Sequence, residues 1–223
     1  MAAIDASVWG IAICTCEGTW GARLMRVVLS FIAAVLAAHV AYAADIAPVD
    51  VRAPSTVPVT TPIDPFSGFE VRFGGFMHGV GNVEKNTWDV NGELIVPKMF
   101  APAGPWSYFV PRLHAGTNIN VNGRTSAVYA GLLWTVPVFD RFFVEGFVDA
   151  AYHNGSLAGS PTQSAMGCDP LFHTGGSVGY RIDPHWSVMA TFDHLSNGSG
   201  IGLTNCSRNQ GLNNYGLRLG YQF

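Results

Sequence analysis

Charged side chains are scarce in this chain: Asp, Glu, Lys and Arg together make up 12% of its 223 residues. A soluble domain usually carries about twice that share. The formal net charge of -3 gives no basic surface, so neither nucleic acid nor a strongly charged macromolecular partner is implied. Long apolar runs are lacking too, once the N-terminal stretch is passed. No later segment approaches the roughly 20 consecutive apolar residues of a spanning helix. Any membrane span in the mature protein must therefore be a barrel, in which strands satisfy one another's backbone groups. What is abundant is glycine, at 26 residues, and aromatic side chains, at 12%. That composition suits a membrane barrel, although a secreted soluble β-protein would look similar.

The segment MRVVLSFIAAVLAAHVAYAAD, from Met25, has one Arg, an apolar run and small residues around Ala41-Tyr42-Ala43. It reads as a secretory signal with an A-x-A cleavage site, and its apolar run is too short for a membrane anchor. Residues 25–43 are thus expected to be a signal peptide, and residues 1–24 an upstream extension from a mis-chosen start. Residues 44–66, rich in Pro, Val, Thr and Asp without periodicity, form an extended leader. Residues 67–223 then make the folded domain. Cys14 and Cys16 lie in the extension, leaving Cys168 and Cys206 in an oxidising compartment where they can pair. Two free thiols are the other reading.

Beyond Pro65 the chain alternates apolar and polar residues, punctuated by Gly, Asn, Asp and Pro. Eight strands are expected, near 68–80, 87–96, 108–120, 123–136, 141–153, 169–181, 185–196 and 211–223. Strand side chains point to opposite faces at period two. In the last strand Tyr215, Leu217, Leu219, Tyr221 and Phe223 share one face, against Asn214, Gly216, Arg218, Gly220 and Gln222. The seventh sets Trp186, Val188, Ala190 and Phe192 against Ser187, Thr191 and Asp193. The fifth sets Phe142, Val144, Val148 and Tyr152 against Glu145 and Asp149. The third opposes Phe109, Leu113 and Ile119 to Arg112, His114 and Asn118. An apolar outside and a polar lumen make this an all-β fold, an eight-stranded antiparallel transmembrane β-barrel. Eight strands leave no room for a channel, so the lumen should be a plug of paired polar side chains. A soluble, lipocalin-like barrel would invert the two faces.

With the N-terminus periplasmic, the turns at 137–140 and 182–184 are short and periplasmic, and the stretches at 154–168 and 197–210 are long and extracellular. The 97–107 link is the long exception on the periplasmic side. Cys168 and Cys206 both fall at the outer end, where a disulfide would tie two loops together. Of the seven histidines, His78, His114 and His173 read as lumenal and His153 and His185 as rim residues; His39 belongs to the signal. None forms a metal-ligand pattern, and neither a metal nor another cofactor is expected.

His194 is different. It and Ser196 are two residues apart, so they share the face of Ala190 and Phe192, which is the lipid face. Lipid offers polar groups no partners, so polar residues there need a reason. A polar pair at the membrane rim is one; a nucleophile with its general base is the other. The eighth strand enters from the same rim, and its parity puts Asn213 outward, at the same depth. A third group beside the imidazole could orient it.

The run HLSNGSG, followed by NQGLNNYGLRLGYQF to the end, resembles the lipid A 3-O-deacylase (PagL) family of outer-membrane acyl-ester hydrolases, whose relatives include acyloxyacyl hydrolase barrels. The resemblance implies an eight-stranded barrel in the bacterial outer membrane with its active site on the lipid-facing wall. It implies lipid A, within lipopolysaccharide of the outer leaflet, as the partner, and cleavage of the ester-linked 3-hydroxyacyl chain at position 3. Ser196 would then be the nucleophile and His194 the base. Asn197, with the backbone N–H of Gly198, would hold the oxyanion. The family's acid position is occupied by Asn213. A catalytically inactive outer-membrane barrel with a structural or adhesive role is the alternative reading, and a soluble ligand-binding barrel a third.

Overall fold

The computed structural model describes residues 65–102 and 104–223. The extension, the signal and nearly all of the leader lie outside them. Eight antiparallel strands, β1 (Glu70–His78), β2 (Thr87–Ile95), β3 (Arg112–Asn120), β4 (Ala127–Phe139), β5 (Phe142–His153), β6 (Leu171–Arg181), β7 (Trp186–Ser196) and β8 (Leu212–Gln222), close into a barrel in sequence order. Closure is made by β1 against β8, from Glu70 opposite Gln222 to Met77 opposite Tyr215. No edge is left with unpaired backbone groups, which is the condition for a sheet to stand in lipid.

The faces fall as the alternation requires. Phe73, Trp88, Ile119, Val148, Val178, Phe192, Tyr215 and Leu217 point outward and are exposed, while Arg72, Glu93, Arg112, His114, Asp149, His173 and Arg218 are buried inside. A soluble barrel would show the reverse. Several strand boundaries differ from the sequence reading, chiefly those of β3 and β4. β3 starts at Arg112 because Gly104–Phe109, with Pro105 in its first turn, forms a 3-10 helix and Pro111 follows it. β4 starts at Ala127 because 121–126 is a turn tied by side chains: Asn120 N donates to Ser126 Oγ (3.0 Å) and Ser126 N to Asn154 Oδ1 (2.7 Å). At its other end β4 runs through Pro137 to Phe139, with a register irregularity between those two residues. An irregular ladder at a strand end is where a residue lacking an N–H is tolerated. The turn to β5 is therefore only Asp140 and Arg141.

One end of the barrel thus carries the longer connections, 79–86, 121–126, 154–170 and 197–211; the other carries two short turns and the 96–111 link. The lumen is filled. Arg72 gives two hydrogen bonds to Glu145 (2.7 and 2.8 Å) and one to Glu70 (2.7 Å), and Arg112 reaches Glu70 at 3.0 Å. Arg218 reaches Glu93 at 2.7 Å, and His114 sits between Glu93 (2.6 Å) and Asp149 (2.7 Å). His173 continues the chain to Asp149 at 2.7 Å. Apolar groups close both ends: Met166 with Leu171, Leu195 and Leu212 under the long loops, and Phe66 with Phe143 and Met189 at the other end. Phe66, the last residue read as leader, is buried, with its ring 5.0 Å from that of Phe143.

Candidate active site on the outer wall

β7 and β8 are held in a register that sets His194 opposite Asn213 and, one pair further from the long loops on the same face, Phe192 opposite Tyr215. The His194 Nδ1 to Asn213 Oδ1 distance is 2.7 Å, and both residues are half-buried. An amide oxygen can only accept, so Nδ1 carries the hydrogen, which in the neutral imidazole leaves the lone pair on Nε2. Ser196 shares the face, opposite Phe172 of β6, and is also half-buried. Among the described residues no direct hydrogen bond joins Ser196 Oγ to the imidazole; such contacts often close only when substrate binds. Directly behind, Asp193 and Asn214 face the lumen and pair with each other, Asn214 Nδ2 donating at 2.7 Å.

Asn197 is fully buried, and its side chain is committed. Nδ2 donates to Met166 O at 2.8 Å and also to Arg208 O, while Oδ1 accepts from Ser199 N at 3.0 Å. Both amide hydrogens are spent on the two flanking loops, so this carboxamide has none left for an oxyanion. The oxyanion role expected of that side chain does not fit the geometry; main-chain N–H groups remain. Gly198, at φ 73°, turns the chain away from β7 immediately after Asn197. The positive φ is a conformation that glycine adopts without a steric cost. A little further out, Cys168 and Cys206 are bonded, with their Cα atoms 6.0 Å apart, and link the same two loops.

Two residues that the sequence reading passed over also bear on the imidazole. Gly211 has φ 59°, and a Cβ placed there would lie 3.1 Å from His194 Cε1, so a side chain at this position would crowd the ring. The Gly211 carbonyl in turn accepts from Asn82 Nδ2 at 2.6 Å, and Asn82 Oδ1 accepts from Ser164 Oγ at 2.6 Å. The Gln210-Gly211 turn was a legible signal for the first residue. Nothing local marks Asn82.

Beside it, Glu84 locks the loops. It is buried and accepts from Thr125 N (2.8 Å), Thr125 Oγ1 (2.9 Å), Ser164 N (2.7 Å) and His78 Nε2 (3.1 Å). Burial alone would raise its pKa; the hydrogen bonds from His78, Thr125 and Ser164 win and hold the carboxyl down at about 2. Of the other histidines, His153 pairs with Asp169 at 3.0 Å and His185 meets Gln222 O at 2.8 Å.

Below the His194–Asn213 pair the outer wall is hollowed, between Val144, Gly176, Val178, Ala190, Phe192 and Tyr215. The hollow exists because Gly176 of β6, opposite Gly146 of β5, stands in the outward row and puts no side chain there. It is apolar and opens to the lipid.

The family model for the lipid A 3-O-deacylase (PagL) matches residues 78–222. The crystal structure of the outer membrane enzyme PagL is similar in fold, at 16% identity and a TM-score of 0.50, covering 69% of this chain and 99% of that one. A de novo designed transmembrane β-barrel matches at 14% identity and a TM-score of 0.45, covering 70% and 96%. The N-terminal β-barrel domain of Pseudomonas aeruginosa OprF matches at 9% identity and a TM-score of 0.44, covering 70% and 98%. Comparison with curated proteins gave no significant match.

Proposed function

Because this chain belongs to the lipid A 3-O-deacylase (PagL) family, we propose that it hydrolyses the ester-linked 3-hydroxyacyl chain at position 3 of lipid A in the outer leaflet. The observation that carries this reading is the His194–Asn213 hydrogen bond of 2.7 Å on the lipid-facing wall, with Ser196 on the same face. A hydrogen-bonded imidazole has no packing reason to be there.

In this mechanism the long-loop end faces outward, and the lipid enters sideways from the membrane with its acyl chain along the hollow below Phe192 and Tyr215. His194 Nε2 takes the proton of Ser196 as Oγ attacks the ester carbonyl. The oxyanion rests on main-chain N–H groups, that of Gly198 first among them. Collapse breaks the bond to the sugar oxygen, which receives the proton from the imidazolium. Water, deprotonated by the same nitrogen, then attacks the acyl-Ser196 and releases the hydroxy fatty acid. No step calls for a metal.

Asn213 holds the imidazole in the working tautomer but cannot offset its positive charge. In the serine-protease template an Asn in place of the acid lowers the rate by about four decades, roughly 5 kcal/mol of transition-state free energy. The residue therefore also favours the second reading, a barrel that has kept the wall and lost the turnover. Mass spectrometry of lipid A from cells expressing the wild type, beside Ser196→Ala, separates them. Loss of one hydroxyacyl group with the wild type alone is the expected outcome. Unchanged lipid A with both, when the barrel is folded in the outer membrane, would sink the enzymatic reading.

A further inference from the structure

The long-loop end has a second depression, beside the imidazole and above the wall, lined by Gly81, Asn82, Val83, Lys85 and Gln210. Its floor is shared with the site, because Gln210 precedes Gly211, the residue beside His194. What distinguishes this depression is its charge. Arg124 and Arg208, the other two cations of the long loops, are tied to carbonyls: Arg124 to Thr162 O at 2.7 Å and Arg208 to Ala158 O at 2.9 Å. At the opposite end Arg141 is tied to Ile182 O at 2.8 Å. Lys85 is exposed, and its ammonium makes no hydrogen bond or ion pair among the described residues.

Gln210 complements it. Its Oε1 accepts from Ala165 N at 2.6 Å, which fixes the carboxamide, and among the described residues the Nε2 hydrogens have no acceptor. Among the described residues no carboxylate is paired with the lysine: Glu84 is buried and hydrogen-bonded to Thr125, Ser164 and His78, and Asp169 pairs with His153. An ammonium and an amide N–H, both unspent, in a concavity with no acid among its lining residues, match a tetrahedral oxyanion.

We propose that this depression receives a phosphate on the sugar headgroup of the lipid whose ester lies at Ser196. This rests on the reading above for the identity of the lipid. It adds a specificity site: Lys85 supplies the charge, Gln210 a directed donor, and Asn82 holds the wall, since its own amide is used on Gly211 O. A headgroup anchored there sets the sugar above the rim and leaves its acyl chain to descend past His194. Positioning of this kind is what converts binding into rate.

The test measures binding, so that it does not depend on turnover. In the Ser196→Ala barrel, in neutral detergent micelles, native mass spectrometry would follow titration with phosphorylated lipid A and with the same lipid A after removal of its phosphates. Lys85→Ala is expected to weaken binding of the phosphorylated lipid by about tenfold, the worth of one charge-assisted hydrogen bond, and to shift the dephosphorylated lipid less than twofold. Gln210→Glu, which keeps the acceptor for Ala165 N, is expected to weaken only the phosphorylated lipid. Equal effects on both lipids, or none, would overturn the proposal. So would displacement of the lipid by inorganic phosphate at millimolar concentration, which would make this a free-phosphate site. Hydrolysis by the wild type is read separately: its absence, with phosphate-dependent binding intact, would fail the enzymatic reading and leave this one standing.

Discussion

The lumen and the outer wall of the same strands use polar residues in opposite ways. Inside, Arg72, Glu145, Arg218, Glu93, His114 and Asp149 form a continuous network in which each charge meets an opposite partner within about one hydrogen-bond length. Outside, His194 has one side-chain partner and Ser196 is left available. Adjacent residues of β7 illustrate it: Asp193 turns inward to Asn214, His194 outward to Asn213. Polar groups that satisfy one another hold a barrel together. Polar groups left short of partners, in a place where burial gives no reason for them, are the ones free to act on a substrate.

That contrast can be broken or sharpened. The largest expected effect is on the outer wall: Asn213→Asp supplies the missing charge beside the imidazole and should raise the deacylation rate, by up to about 10⁴-fold. Its unfolding midpoint should stay near that of the wild type. A rate that does not rise would mean that the imidazolium is already supported by another group. Next comes the lumen. Arg72→Ala strips Glu145 of its two-pronged partner and leaves Glu70 with Arg112 alone, which should cost about 3–5 kcal/mol, read by urea unfolding in lipid vesicles. Specific activity of the fraction that remains folded should change little. If activity and stability fell together, the two faces would not be separable.

The smallest effect lies between the two regions, at Glu84. Its folded pKa, about 2, is below the ordinary 4.5, so it stabilises the loops fully above about pH 4.5. That contribution, on the order of 3 kcal/mol, fades as pH falls from there towards 2. Hydrogen exchange of loops 79–86 and 121–126 should rise over that window and flatten in Glu84→Gln. Exchange insensitive to pH in the wild type would show that the carboxylate is not what locks them.

Much of this arrangement was legible because strand alternation is a strict physical pattern. Tyr215, Leu217 and Leu219 against Asn214 and Arg218 already separated the two faces, although a soluble barrel with the faces inverted stayed open, and the same parity aligned His194 with Asn213. Where the sequence misled, a local signal was overridden by something distant. Tyr108 and Phe109 read as the start of the third strand, but they belong to a 3-10 turn that holds Pro105 and is followed by Pro111. The start of β4 was lost because side chains of Asn120 and Asn154 tie down 121–126. Asn197 stands next to Ser196 in a run that suggests a shared role, yet its partners are carbonyls of residues 166 and 208, one of them in a loop 31 residues away. Asn82 reaches 129 residues along the chain to Gly211, and no spacing rule could anticipate it.

The filled lumen has a consequence for the cell that carries this barrel. With Arg72 bridging Glu70 and Glu145 across the interior, and with Met166 at one mouth and Phe66 at the other, there is no continuous water column from end to end. Many copies can then be inserted without adding electrical conductance or admitting small toxic solutes. The permeability barrier is left intact by a protein whose proposed site is turned towards its lipids.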